Sequence, residues 1–500
     1  MTDSKREIER KYESADSGLP DLTGVAGVAA VVDKGVAHLD ATYYDTGDER
    51  LAASSVTLRR RTGGSDAGWH LKFPVAPGVR DEIHAPLSDT LPDDLAALVR
   101  SRVRDSELLP VVRLRSDRDV RHLLDADSRL LAEMSVDTVH AERLTGGGEA
   151  RWTEIEVELA DGGDPALLDK VEKRLRKAGV RPSASSSKLA RALEETAPGK
   201  RRKSPHLRRP VTAGDHVLAY VRTQRDAIVE LDPAVRRDAE DSVHSMRVAT
   251  RRLRSTFKSF GKILDRTVTD PVGDELKWLA GELGLDRDRE VLTDRLTAAL
   301  DEVPDGLVRG PVAKRLHSWS SAEHHGARGR LLGVLDSRRY LALLDTLDTL
   351  IADPPLLKAA GKEPRKPIAK AVRKDFRKVS GLIGQAADLE PGTDRDLALH
   401  EARKKTKRTR YAAEAAEPVL GKRAKTMVKS MKSLQNLLGE HQDSVMARQA
   451  LRELSAVAHA AGESAFTYGL LHEREEQRAA RVEAELPGRW DGIKDSAADL

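Results

Sequence analysis

The chain has 500 residues, too many for one ordinary core, so two or three domains are expected. Aromatic residues make up 3% and charged residues 33%, which favours charged helices over a large sheet sandwich; the lack of cysteine excludes disulfides, thiolate metal sites and a cysteine nucleophile. The net charge of +4 conceals local basic clusters, charges begin at Asp3 where a signal peptide would be apolar, and no apolar run approaches the roughly 18 residues of a membrane helix, so a cytoplasmic protein with no membrane partner is expected.

The first segment with a clear pattern is Arg6 to Tyr12. As a strand it places Glu7, Glu9 and Lys11 on one face and Ile8, Arg10 and Tyr12 on the other. Two carboxylates and an ammonium two residues apart suit a hard divalent cation beside a phosphate. Short strands follow at Ala41–Thr46 and Val56–Arg61, the second with Thr57, Arg59 and Arg61 on one face. Residues 63–68 read as a hairpin loop, Trp69–Phe73 as the return, and Arg80–His84 as a strand with Arg80, Glu82 and His84 together. Helical spacing appears at 92–104. Val111–Arg115 would place Arg113 and Arg115 on one face, and Arg129–Val139 places Glu133, Ser135 and Asp137 on one side. In Glu154–Leu159 three carboxylates alternate with three apolar residues; 165–178 is helical, and Ser187-Lys188-Leu189 follows a serine-rich turn.

Antiparallel strands with one charged face can close into a barrel that turns those charges inward. Such burial is costly unless opposite charges or a ligand satisfy it. Arginines fork onto phosphate oxygens, and carboxylates hold metal, so a metal-bridged polyanion is the guest that fits.

In this order, Glu7-x-Glu9-x-Lys11, Leu58-Arg59-Arg60-Arg61, Leu71-Lys72, Arg80-x-Glu82, Arg113-x-Arg115, Asp137, the Glu154/Glu156/Glu158 strand and Ser187-Lys188 resemble the CYTH family, the triphosphate tunnel metalloenzymes, over residues 1–196. The resemblance implies an N-terminal α+β domain built on an eight-stranded antiparallel β-barrel tunnel and metal-dependent hydrolysis of a triphosphate. It implies Mg²⁺ or Mn²⁺ on Glu7 and Glu9 with glutamates of the 154–158 strand, the inward pair being Glu154/Glu156 or Glu156/Glu158. Lys11, Arg59, Arg61, Lys72, Arg80, Arg113, Arg115 and Lys188 would bind the triphosphate, with Lys72 and Glu82 in catalytic roles.

Residues 197–210, rich in Pro, Gly, Lys and Arg, read as a basic linker. From 211 to 500 the pattern is helix after helix, with an internal duplication, 211–360 and 361–500. His244-x-x-Arg247-x-x-x-Arg251-Arg252-x-Arg254 recurs as His400-x-x-Arg403-x-x-x-Lys407-Arg408-x-Arg410, and a Leu283-Gly284 motif recurs as Leu438-Gly439. His244, Arg247, Arg251, Arg254 and Lys258 form one helical stripe. From Leu397 to Lys432, eleven Lys/Arg stand against three acids. Stacked like charges oppose a helix unless an anion compensates them. Asp288 and Asp443 are read as structural acids, and His324-His325 as a loop.

These paired motifs resemble the CHAD family, the conserved histidine α-helical domain. The resemblance implies an all-α domain of two pseudo-symmetric four-helix bundles with a basic groove for inorganic polyphosphate. His244, Arg247, Arg251, Arg252, Arg254, Lys258, His400, Arg403, Lys404, Lys407, Arg408 and Arg410 would line it. The expected function is triphosphate or tripolyphosphate hydrolysis with polyphosphate binding, and polyphosphate granules are an expected location. The alternative is a non-catalytic polyphosphate-binding protein. Nucleic acid is disfavoured, because stacking aromatics are few.

Overall fold

The computed structural model describes residues 3–13, 19–197 and 209–494, leaving aside the side chains of 3, 285–288, 320–325 and 327. Most of the expected linker, and the side chains of Asp288, His324 and His325, lie outside these residues. The chain divides into two compact units, Met1–His206 and Leu207–Leu500.

The first unit contains strands β1 (Asp3–Glu13), β2 (Ala30–Asp45), β3 (Thr57–Thr62), β4 (Gly68–Ala76), β5 (Val79–Pro86), β6 (Leu109–Leu124), β7 (Leu130–Arg143), β8 (Glu149–Leu159) and β9 (Arg181–Pro182). Its helices are α1 (Arg50–Ala53), α2 (Asp93–Val103), α3 (Ala166–Lys177) and α4 (Lys188–Glu195). The sheet order is β5-β4-β3-β2-β6-β7-β8-β1-β9, with the two-residue β9 on the end of β1, and all pairings are antiparallel. β1 closes the ring by dividing its length. Residues 3–8 pair with β5, and residues 9–13 pair with β8.

Period-two alternation sorts the side chains of this barrel. On β8, Ile155 and Val157 point outward under Leu168, Val171 and Leu175 of α3, whereas Glu154 and Glu156 point inward. On β3 to β5, Leu58, Trp69, Leu71 and Ile83 point outward under Leu95, Leu98 and Val99 of α2. Each fully buried large apolar side chain contributes about 1.5–3 kcal/mol, so the helices on the outside stabilise the wall while the charges stay inside.

α4 differs from the other helices of this unit. Ser187 caps it by accepting from Ala190 N at 3.0 Å. Leu189, Ala192 and Leu193 pack against Ala41, Tyr43, Val112, Leu114, Val139, Ala141 and Trp152. Those wall residues share the inward face by register, so α4 fills one end of the barrel with an apolar plug. Lys188, on its first turn, lines the cavity.

The second unit is all helical: α5 (Ala213–Arg236), α6 (Ser242–Ser259), α7 (Arg266–Glu282), α8 (Leu285–Asp301), α9 (Val312–Asp336), α10 (Arg338–Ala352), α11 (Arg365–Ala387), α12 (Thr393–Leu420), α13 (Lys422–Ala460) and α14 (Phe466–Lys494). α9 runs through His324-His325, which corrects their reading as a loop. Two apolar cores form, and each takes helices from both copies of the duplication. One joins α5, α6, α7 and α10 to α11, α12 and the first half of α13. The other joins α8 and the start of α9 to the second half of α13 and the start of α14. α6 corresponds to α12. The next helix of each copy differs: the first breaks at Leu283-Gly284, between α7 and α8, while α13 passes unbroken through Gly439.

Candidate functional site

The barrel encloses a cavity of about 860 Å³. Its wall carries Glu7, Glu9, Glu82, Glu156 and Glu158 together with Lys11, Arg59, Arg61, Lys72, Arg80, Arg118 and Lys188. Most of the opposite charges are paired, yet room remains.

Two networks divide the wall. In the first, Lys72 Nζ lies 2.7 Å from both oxygens of Glu7 and 3.4 Å from Glu82 Oε2. His70 sits between Glu82 Oε1 at 2.7 Å and the Asp66 carbonyl at 2.9 Å. Burial pushes the Glu82 carboxyl up, but His70, Lys72 and Arg59 overcome it and hold it well below the carboxylate range. In the second network, Lys11 contacts Glu156 and lies 3.0 Å from Glu9. Lys188 reaches Asp137 at 3.0 Å, Glu154 at 2.9 Å and Glu156 at 2.6 Å. Arg118 forks onto Asp137 at 2.7 and 2.9 Å and reaches Glu156 at 2.7 Å.

Not every charge is balanced. Arg59 donates to the Tyr43 hydroxyl at 3.3 Å, while its buried Nε meets no acceptor among the described residues. Burial, then Arg59 and Arg118, push the Arg61 guanidinium down; its acidic contact is Asp66 of the hairpin loop. An anion would relieve both. On the acidic side, burial and then Glu7 push Glu158 up to about 7. Glu9 is the register partner of Glu158. Glu7, Glu9 and Glu158 are hard oxygen donors of the kind that hold a divalent cation, and each faces a lysine: Lys72 at 2.7 Å, Lys11 at 3.0 Å and Lys5 at 2.8 Å. Asp137, Glu154 and Glu156 cluster more tightly, with ligand atoms within 4.8 Å of one another, and Lys188 and Arg118 compensate them.

Two expected residues lie elsewhere. Arg113 forks onto Asp40 at 2.5 and 2.9 Å, and Arg115 lies 3.9 Å from Glu142; neither lines the cavity. Register explains the correction. Val112, Leu114, Ser116 and Arg118 share the inward face, so Arg113 and Arg115 point out. The inward arginine of β6 is Arg118, absent from the sequence reading because the inward face is apolar beside the plug. All three glutamates of β8 share one face; Glu156 and Glu158 line the cavity, and Glu154 accepts from Trp152 Nε1 at 2.6 Å.

In the helical unit, Lys407 of α12 is the centre of a cationic cluster. Burial, and then Arg251, Arg403 and Arg247, push its ammonium down to about 7, against the pull of Asp443. Arg403 lies 3.8 Å from Asp443, and His400 Nδ1 is 2.5 Å from Gln442 Oε1. Lys404 pairs with Glu401 on its own helix. His244 is exposed on α6, and Lys258 lies near Arg254 and Arg408. Three expected groove residues are instead held by acids. Arg252 and Arg410 share Glu414 at 2.9 and 3.1 Å, and Arg408 meets Asp375 at 2.8 Å. Glu414 occupies the position in the second copy that Lys258 holds in the first, so the duplicated stripe is not electrostatically symmetric.

Comparison with known proteins finds a CYTH domain at residues 5–193 and a CHAD domain at residues 219–452. Two curated relatives from Mycobacterium tuberculosis strains, the uncharacterized proteins MT2285 and Rv2226, are each 39% identical over 497 residues, covering 96% of this chain and 94% of theirs. Similar solved structures include PptA from Streptomyces chartreusis, with 22% identity, a TM-score of 0.47, and 56% of this chain and 99% of that one covered. The CHAD domain from the plant Ricinus communis has 25% identity and a TM-score of 0.43, covering 58% of this chain and 93% of that one.

Proposed function

This chain belongs to the CYTH–CHAD family, and on that premise we propose that its barrel is a divalent-metal-dependent triphosphatase acting on tripolyphosphate or a related triphosphate, and that its helical unit binds inorganic polyphosphate. The observation that carries the reading is one cavity in the barrel lined by both signs of charge. Glu7, Glu9 and Glu158 line it, with Glu158 pushed up by burial and then by Glu7, and Arg59 and Arg61 line it too, with the Arg61 guanidinium pushed down by burial and its neighbouring arginines.

Glu7, Glu9 and Glu158 would hold Mg²⁺ or Mn²⁺, which when bound polarises phosphoryl oxygens and offsets their charge. Arg59, Arg61, Arg80 and Lys72 grip the remaining oxygens and stabilise the charge that develops in the transition state. Lys72 must leave Glu7 to do so. Glu82 stays ionised and is fixed by His70, so it can accept a hydrogen bond from a water and orient it for in-line attack on the terminal phosphorus. In the helical unit, Arg251, Arg403 and Arg247 surround Lys407 and disfavour its charge, and a chain of phosphates would restore it.

The test is phosphate release from tripolyphosphate with Mg²⁺ or Mn²⁺. The wild type releases phosphate, and the Glu7→Ala, Glu9→Ala double variant does not. Wild-type protein inert with both metals would leave polyphosphate binding as the function of the chain.

A further inference from the structure

The arginine of each copied motif lies against the glycine of the same copy. A methyl group built on Gly284 would stand 2.7 Å from both Cζ and Nη2 of Arg247 and 2.9 Å from its Nε. At Gly439 the same atom would stand 3.6 Å from Arg403 Nη2 and 3.8 Å from its Nε. Backbone conformation does not explain Gly284, whose φ is −106° and open to any residue. Gly439 lies within the unbroken helix α13, where glycine costs about 1 kcal/mol relative to alanine. What the two positions share is a guanidinium close to the bare backbone.

We propose that Gly284 is a positioning residue for anion binding: it is a seat that lets Arg247 lie against the bare backbone at the break between α7 and α8 and present its donors beside Lys407, while Gly439 is a looser seat for Arg403 that an alanine would also provide. The inference rests on the polyphosphate-binding reading of the helical unit. A guanidinium is planar and carries its donors in a fixed fork, so lying on a surface without Cβ removes most of its rotational freedom before the anion arrives. The Nε of Arg403 is buried and makes no hydrogen bond among the described residues. The two seats differ in tightness. At 2.7 Å the guanidinium of Arg247 must move when any side chain is added at 284, whereas 3.6 Å at 439 is ordinary contact.

The experiment measures binding of polyphosphate of defined chain length to the full chain by calorimetry at several salt concentrations. Arg247→Ala is expected to weaken binding about tenfold, the worth of one charge-assisted hydrogen bond, and to flatten the salt slope. Gly284→Ala is expected to weaken it by a similar factor with unchanged thermal stability, while Gly439→Ala has a much smaller effect. In an Arg247→Ala background, Gly284→Ala should cost nothing further. Full additivity of the two changes, or wild-type binding by Gly284→Ala, overturns the proposal. If Arg247→Ala itself binds like wild type, the polyphosphate reading at this cluster fails instead. Should Gly284→Ala not fold, the variant that also carries Arg247→Lys decides. Recovery of the fold with the affinity of Arg247→Lys alone supports the seat, and continued misfolding shows that something other than the guanidinium needs the glycine.

Discussion

Lys72 Nζ is 2.7 Å from each carboxylate oxygen of Glu7, so a cation that binds Glu7 must displace this ammonium. Lys72→Met should therefore strengthen Mn²⁺ binding in the absence of substrate, by about tenfold for a lost charge-assisted contact, while abolishing phosphate release. A metal titration of the two proteins checks this. Equal affinities would mean that the ion does not compete with Lys72.

Arg61 is the barrel arginine least served by the folded chain: burial, then Arg59 and Arg118, push its guanidinium down. Removing it should move stability and substrate affinity in opposite directions. Arg61→Met is expected to leave the melting temperature unchanged or raise it by a few degrees, since about 1 kcal/mol corresponds to about 2–4 °C in a domain of this size. The same change should raise KM for tripolyphosphate at least tenfold. A drop in melting temperature with unchanged KM would make Arg61 a structural residue.

Arg118 should behave differently from Arg113 and Arg115. Arg118→Ala strips a fork from Asp137, which is fully buried, and leaves Glu156 short of a partner. Breaking a buried pair costs about 3–5 kcal/mol, and the melting temperature should fall accordingly. Adding Asp137→Asn should recover part of the loss. Arg113→Ala and Arg115→Ala, at half-exposed ion pairs, should each change stability by less than about 1 kcal/mol and leave phosphate release as it was. Chemical denaturation and a phosphate assay distinguish the two classes.

Lys407 should make the helical unit respond to pH. Its ammonium is pushed down to about 7, by burial first and then by Arg251, Arg403 and Arg247, whereas an unfolded lysine titrates near 10.4. Between these values the unfolded chain holds a proton that the folded chain lacks, so stability should rise with pH from about 7 to about 10, and the penalty is fully present below 7. Polyphosphate favours the charged form. Its affinity should increase as pH falls toward 7 and level off below, with proton uptake on binding above 7. Lys407→Met should flatten both dependences, as measured by calorimetry in buffers of different ionisation enthalpy.

The strand at Glu7-Ile8-Glu9-Arg10-Lys11, the alternation at 154–159 and the duplicated histidine motif were legible because each is local. A period of two or of 3.6 puts chosen residues on one face, and the residues between them identify the other. Alternation separates two faces without saying which is inside. On β6 that choice belonged to β2 and β7, whose registers turn Arg118 in and Arg113 and Arg115 out. The α4 plug disguised it further by making the inward face apolar at Val112 and Leu114. The same holds among the helices. The chain alone specifies a repeated basic stripe and the i,i+4 pair Arg410–Glu414, but only packing between helices brings Arg252 to Glu414 and Arg408 to Asp375 while leaving Lys407 among like charges. Residue types and their spacing were set by sequence. Which charges meet partners was set by contacts between distant segments, because electrostatic energy depends on separation in space and on burial, neither of which a local pattern contains.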